Sequence, residues 1–314
     1  MKDKYGRNII YLRWSITENC NLQCYYCTLR NENNSSDYLS LEEIDRLSKV
    51  FKELGFEHIR LTGGEPTVRE DIVNIVKILS GRFSTVSMTT NGTLLLDLAS
   101  KLKNAGLSDV NISLDSLKAE KFLKITGKNR LKDVINGIQE SKRVGLKVKL
   151  NTVLLKENKD DLLNLIEFAM SEKVPIRFIE LMPFGNVKKE DFVSQEDAMK
   201  IISEKFKLFK IKNRFGVGPS NYYKVVSNGK EGIIGFISAI THKFCDSCNK
   251  IRISSKAEVF PCLAYPNLKV SLRDVLYDEN KIKFRIEKSI RMKPLAHNFD
   301  YKNEIRFSMR SIGG

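Results

Sequence analysis

Six short β-rich runs alternate with amphipathic helical patterns between residues 9 and 184, and that alternation leaves the chain few folds to choose from. The runs are IIYLRWSIT, HIRLTGGEP, TVSMTTNG, DVNISLD, KVKLNTVLL and PIRFIELMPF, rich in the β-branched and aromatic residues that suit a pleated surface. Most βα units occupy about 25 to 35 residues, the length a parallel strand pair needs for its crossover helix. In residues 40 to 54, Ile44, Leu47, Phe51 and Leu54 recur at helical spacing behind Ser40, and Glu43 three positions on completes a capping box. The expected fold is therefore α/β, a TIM-like (β/α)6 barrel left incomplete because six units fall short of the eight that close one. Catalytic groups in such barrels sit where the strands end. Trp14 alternates with Arg13 on the first run, so it should face the helices if Arg13 faces the lumen.

After residue 185 the pattern changes. QEDAMKIISEKF reads as a helix, RFGVGPSNYYKV and EGIIGFISAI carry glycine and aromatic residues, and KIRISSKAEVFPCLA reads as a hairpin. Residues 1–185 are expected to form the partial barrel and residues 186–314 a smaller α+β extension packed against it. No window approaches the length of apolar chain that spans a bilayer, and MKDKYGRN lacks a signal-peptide core, so a cytoplasmic protein is expected. Lysine and arginine outnumber acids 53 to 38, for a net charge of +15 and a pI near 9.4. That excess suits an anionic ligand or nucleic acid, but it is spread along the chain without the basic tracts of a nucleic-acid tail.

A reducing compartment turns the six cysteines towards metal or redox chemistry rather than disulfides. Cys20, Cys24 and Cys27 follow the first strand, where a barrel places its catalytic loop. Their spacing lets three thiolates wrap one iron–sulfur cubane and leaves a fourth iron open to a substrate; a zinc site completed by a distant histidine is the alternative. Cys245, Cys248 and Cys262 form a second set, either a further cluster with an open iron or, with His242, a zinc site. Lys250 and Arg252 alternate beside it onto one face of a strand. His58 and His297 have no cysteine neighbours and are expected on the surface or in packing, and Tyr222 and Tyr223 in the core.

The first set, with Tyr26 just before its last cysteine, resembles the Cys-x-x-x-Cys-x-x-Cys motif of radical S-adenosylmethionine (SAM) enzymes. TGGEP, with Gly63 to Pro66 after the second strand, resembles their second motif. Together with the second set and the terminal RSIGG, the chain is similar along nearly its whole length to the GTP 3′,8-cyclase family of molybdenum cofactor biosynthesis. That resemblance implies a barrel of the radical SAM type and a C-terminal extension carrying a second 4Fe–4S cluster. It implies Cys20, Cys24 and Cys27 as the catalytic cluster ligands, Cys245, Cys248 and Cys262 as ligands of the other cluster, and two cofactors, the clusters and SAM. The matching positions for SAM are Tyr26, Gly64, Ser113 and Met182. For GTP they are Arg13, Arg60, Thr89, Lys149 and the run Lys250, Ile251, Arg252, where the family's Arg-x-Arg has become Lys-x-Arg and loses one planar fork. The tail Gly313 and Gly314 should reach the active site. The implied reaction is hydrogen abstraction from C3′ of GTP by a 5′-deoxyadenosyl radical. The implied partners are an external one-electron donor and a downstream cyclic pyranopterin monophosphate synthase, with no membrane or nucleic acid. The rival expectations are another dual-cluster radical SAM enzyme acting on a peptide or tRNA, and a zinc-bound nucleic-acid module.

Overall fold

A computed structural model describes residues 1–27, 38–184, 187–212, 215–301 and 307–313. The first part runs β1 (Tyr11–Ser15), α1 (Leu41–Glu53), β2 (His58–Thr62), α2 (Ile72–Ser80), β3 (Thr85–Thr90), α3 (Leu95–Asn104) and β4 (Asp109–Ser113). It continues with α4 (Ala119–Thr126), α5 (Leu131–Arg143), β5 (Lys147–Leu154), α6 (Leu162–Ser171) and β6 (Ile176–Glu180). Each of the six β-rich runs holds one strand, and consecutive strands pair in parallel. α1 starts at its capping box: the Glu43 amide donates to Ser40 Oγ at 3.2 Å and the Ser40 amide to the Glu43 carboxylate at 2.8 Å. Trp14 is fully buried with its ring 5.9 Å from that of Phe51 on α1, on the helix side as its alternation with Arg13 requires.

The strands have two different faces. Ile59, Leu61, Val86, Met88, Val110 and Ile112 are buried against the helices, while the residues between them are Arg60, Ser87, Thr89 and Asn111. Barrel interiors are ordinarily filled with bulky apolar side chains. A lumen of arginines and small polar groups is therefore a place for a ligand rather than a packed core.

The C-terminal part adds α7 (Gln195–Ser203), β7 (Lys207–Ile211), β8 (Asn221–Ser227), β9 (Lys230–Ile237), β10 (Lys250–Ile253), β11 (Glu258–Phe260) and β12 (Val270–Ser271), then α8 (Glu279–Arg291) and α9 (Met309–Ile312). Its strands join the barrel sheet. β10 pairs in parallel with β1 and β9 in parallel with β6, so the described residues form one sheet in the order β12-β11-β10-β1-β2-β3-β4-β5-β6-β9-β8-β7. The six-stranded core thus gains partners on both edges, which covers main-chain groups an incomplete barrel would leave open. Arg252 of β10 and Ile237 of β9, with the six core strands between them, line the same cavity. The sheet is therefore curled around a lumen.

Candidate active site

The lumen encloses a cavity of about 350 Å3 that all six cysteines line, a size suited to a small organic ligand. Cys20, Cys24 and Cys27 lie beyond the C-terminal end of β1, beside the loop that follows β2. That loop is fastened by the Gly64 amide to the Thr17 carbonyl and the Glu65 amide to the Asn19 carbonyl, both 2.8 Å. A Cβ on Gly64 would press into the Asn19 carbonyl and come within 2.6 Å of that of Glu18, so glycine is what permits the approach. Three half-buried thiols on such a loop suit an iron–sulfur cluster with one iron left open. Burial, then the neighbouring Cys27, pushes the Cys24 thiol well up.

The Tyr26 hydroxyl donates to Asp115 Oδ2 at 2.6 Å, and the Val153 amide to Asp115 Oδ1 at 2.8 Å, tying the cysteine loop to the ends of β4 and β5. Burial pushes Asp115 up to about 6, against the pull of those two hydrogen bonds. A carboxyl raised in the folded state contributes stability fully below the ordinary aspartate range and loses it as pH rises through about 6. Its ionisation at neutral pH costs on the order of 3 kcal/mol. The stability of an Asp115→Asn variant relative to the parent should therefore rise by about that amount between roughly pH 4 and pH 7. Urea midpoints of the metal-free chains would read it, and a flat difference would refute it.

The second cysteine set sits at the other end of the lumen. Tyr11, which opens β1, is in register with Lys250, which opens the parallel β10; Cys248, two residues earlier, lies at the N-terminal end of the barrel strands. β11 runs antiparallel to β10, with Phe260 opposite Arg252, and delivers Cys262 to the same end. Lys293 Nζ donates to the carbonyls of Pro261 at 2.7 Å and Lys250 at 2.8 Å. Burial pushes the Cys248 thiol up, but Lys293 and Lys250 outweigh it and bring the group below its ordinary value. Among the described residues no three His, Cys, Asp or Glu side chains are gathered to hold a single metal ion. The three-thiol donor set, again facing the cavity, fits a cluster with an open iron.

Between the two ends runs a cationic ridge. Arg252, Arg13 and Arg60 stand in register on three adjacent strands, an arrangement of like charges that is unfavourable without an anion. Burial, then Arg252, holds Arg13 well below its ordinary value, and burial brings Arg252 down to about 10. Arg60 Nε donates to the Tyr11 hydroxyl at 2.5 Å. Asp109 accepts from Lys149 at 3.0 Å and Arg60 at 3.5 Å. Arg177 donates twice to Asn151 Oδ1, at 3.0 and 2.6 Å.

Of the positions singled out in the sequence, Tyr26, Gly64, Ser113 and Met182 line the cavity, as do Arg13, Arg60, Thr89, Lys250 and Arg252. Lys149 lies on the lumen face of β5, two residues before Asn151, with its charge engaged by Asp109. The Ile251 side chain lies in the apolar core, since the pleat that turns Lys250 and Arg252 inward turns it outward. Gly313 is in the lumen, its carbonyl accepting from Arg252; Gly314 lies outside the described residues. His58 is a packing residue bonded to Thr85 at 2.7 Å, and Tyr222 is buried. His297 is buried too, but at the cavity wall, with its amide 3.5 Å from Cys245 Sγ. Sequence reasoning passed over Arg177, Asp115 and Lys293. Arg177 had a signal, a single cation alternating with Ile176 and Phe178 inside an apolar strand.

Comparisons with known proteins agree with this geometry. Residues 14–169 match the family model Radical SAM superfamily and residues 174–299 match Molybdenum Cofactor Synthesis C. A GTP 3′,8-cyclase of Clostridium perfringens is 40% identical over 326 residues, and one of Petrotoga mobilis 40% identical over 334, each covering 100% of both chains. Among solved structures, Streptococcus suis SuiB bound to S-adenosylmethionine superposes with a TM-score of 0.63 at 18% identity, over 88% of this chain and 68% of that one, a likeness of fold. With two cysteine sets facing each other across a cationic lumen, and full-length relatives at this identity, the chain belongs to the GTP 3′,8-cyclase family of radical SAM enzymes.

Proposed function

We propose that this chain is a lyase that converts GTP to (8S)-3′,8-cyclo-7,8-dihydroguanosine 5′-triphosphate in molybdenum cofactor biosynthesis. The observation that supports it most is the placement of both three-cysteine sets and the arginine ridge on one cavity. Cys20, Cys24 and Cys27 would hold the first 4Fe–4S cluster, and Cys245, Cys248 and Cys262 the second. When bound, the first cluster and SAM supply a 5′-deoxyadenosyl radical that takes hydrogen from C3′ of the substrate. The chain's own groups do the rest. The main chain at Gly63 and Gly64, with Tyr26, Ser113 and Met182, would seat SAM against the first set. Arg13, Arg60, Lys149, Lys250 and Arg252, with Thr89, would take the triphosphate. Each charge-assisted contact in a desolvated lumen contributes roughly 1.5 to 3 kcal/mol before non-additivity. The curled sheet keeps water from the reacting atoms. Residues 1–185 carry the radical-generating part in this reading, and residues 186–314 the second cluster and much of the substrate site.

None of the described helices is long and apolar enough to cross a membrane. We place the enzyme in the cytoplasm, reduced by an external one-electron donor and followed by a cyclic pyranopterin monophosphate synthase. Anaerobically reconstituted protein should hold about eight irons per chain and, given GTP, SAM and dithionite, should release 5′-deoxyadenosine while consuming GTP. About four irons, or 5′-deoxyadenosine formed with GTP untouched, would overturn the assignment.

A further inference from the structure

Two buried cations, Arg7 and Lys293, grip the main chain around the second cysteine set. Arg7, at the N-terminus, donates to the Cys245 carbonyl at 2.9 Å, to that of Leu295 at 2.8 Å and to that of Pro294 at 2.6 Å. Its Nε is held by Asp3 Oδ2 at 2.6 Å, and Asp3 Oδ1 accepts from the Arg7 amide at 3.0 Å. Lys293, 2% exposed, bonds the carbonyl of Pro261, the residue before Cys262, and that of Lys250, two residues after Cys248. Arg7 has a carboxylate for its charge. Lys293 makes no ion pair with a carboxylate among the described residues, and a buried ammonium without a counter-charge is costly. The ionisable groups within its reach are the thiols of the second set, above all Cys248, with which it shares a side-chain hydrogen bond.

We infer that Arg7 and Lys293 are positioning residues of the second cluster, Arg7 fixing the Cys245 loop and Lys293 fixing the Cys262 segment while supplying the counter-charge to the reduced cluster. The inference rests on the reading that the second set holds a cluster. Groups around a cluster's ligands set its geometry and potential, and these two would act through the main chain beside the cysteines. Arg7 brings the N-terminal segment to a loop 238 residues away, so the chain's first residues become part of the second centre.

Lys293→Met removes the charge at similar length, Lys293→Arg keeps it, and Arg7→Gln removes the three-carbonyl grip. In an EPR-monitored redox titration of reconstituted protein, Lys293→Met should lower the potential of the second cluster and leave the first where it was, with Lys293→Arg restoring it. Arg7→Gln should lose up to half the iron, from the second set. Lys293→Gln answers the same question if the methionine variant does not fold. Full iron content with an unshifted second potential and unchanged EPR line shape in Lys293→Met would overturn the inference. A parent protein holding only one cluster would instead overturn the two-cluster reading, and the inference with it.

Discussion

Replacing Gly64 by alanine is expected to lower 5′-deoxyadenosine formation by about 100-fold, the scale of loss that follows when reacting groups are misplaced by about 1 Å. The added methyl has nowhere to go. It would meet the Asn19 and Glu18 carbonyls, which are main chain at the entrance to the first cysteine loop and cannot rotate aside as a side chain would. The glycine loop cannot retreat either, because Glu65 pins it from behind. That carboxylate accepts from Thr90 Oγ1 at 2.7 Å, the Asn91 amide at 2.6 Å and the Thr67 amide at 3.0 Å. Overpacking of this kind costs about 1 to 3 kcal/mol, which the fold tolerates but a loop carrying three thiols does not. Iron content should fall towards half while the thermal midpoint moves by a few degrees at most. Gly81→Ala, where an added Cβ meets nothing nearer than 3.6 Å, is the control and should leave activity and iron alone. Undiminished 5′-deoxyadenosine formation by Gly64→Ala would remove the close approach from the account.

What the sequence carried well was local. The six parallel strands were readable because β-rich runs and helical spacing alternate in segments long enough for each period to register, and the α1 boundary because Ser40 and Glu43 satisfy each other's amides. The sidedness of β1 followed from pleat alone, which sent Trp14 to Phe51 and Arg13 to the lumen. What it did not carry was long-range pairing. β10 is four residues long and β9 begins 50 residues after the last residue of β6, so nothing local says that one joins β1 and the other β6, or that the second cysteine set comes to the opposite end from the first. Ile251 shows the limit of carrying positions over from a family as a run, since neighbouring residues on a strand face opposite ways. Lys293 and His297 were silent because both follow the end of α8 without cysteine neighbours in the sequence, and only the folded chain brings them to Cys248 and Cys245.

Arg252→Ala is expected to weaken GTP binding by about 10- to 100-fold, the equivalent of one charge-assisted contact of roughly 1.5 to 3 kcal/mol, with both clusters retained. Arg252 shares its level with Arg13 and Arg60 and touches no cysteine backbone. Its described hydrogen bonds run to the tail, at 3.3 Å to the Ile312 carbonyl and to that of Gly313, so its removal leaves the cysteine loops fastened. The three arginines repel one another: burial and then the nearby Arg252 pull Arg13 well below its ordinary value, while burial lowers Arg252. A triphosphate would bring several negative charges to the ridge and offset the repulsion among the three guanidiniums. Part of the stabilisation GTP confers should therefore come from relief of the ridge, and it should shrink when one of the three is lost. At fixed saturating GTP, each tenfold rise in Kd removes about 1.4 kcal/mol of ligand-induced stabilisation. Arg252→Lys should fall between parent and alanine, keeping the charge while losing the planar fork. Calorimetric titration with GTP, paired with iron analysis of each variant, separates a substrate contact from damage to a cluster. Unchanged affinity in Arg252→Ala would take the residue out of the substrate site and leave the ridge without its proposed purpose.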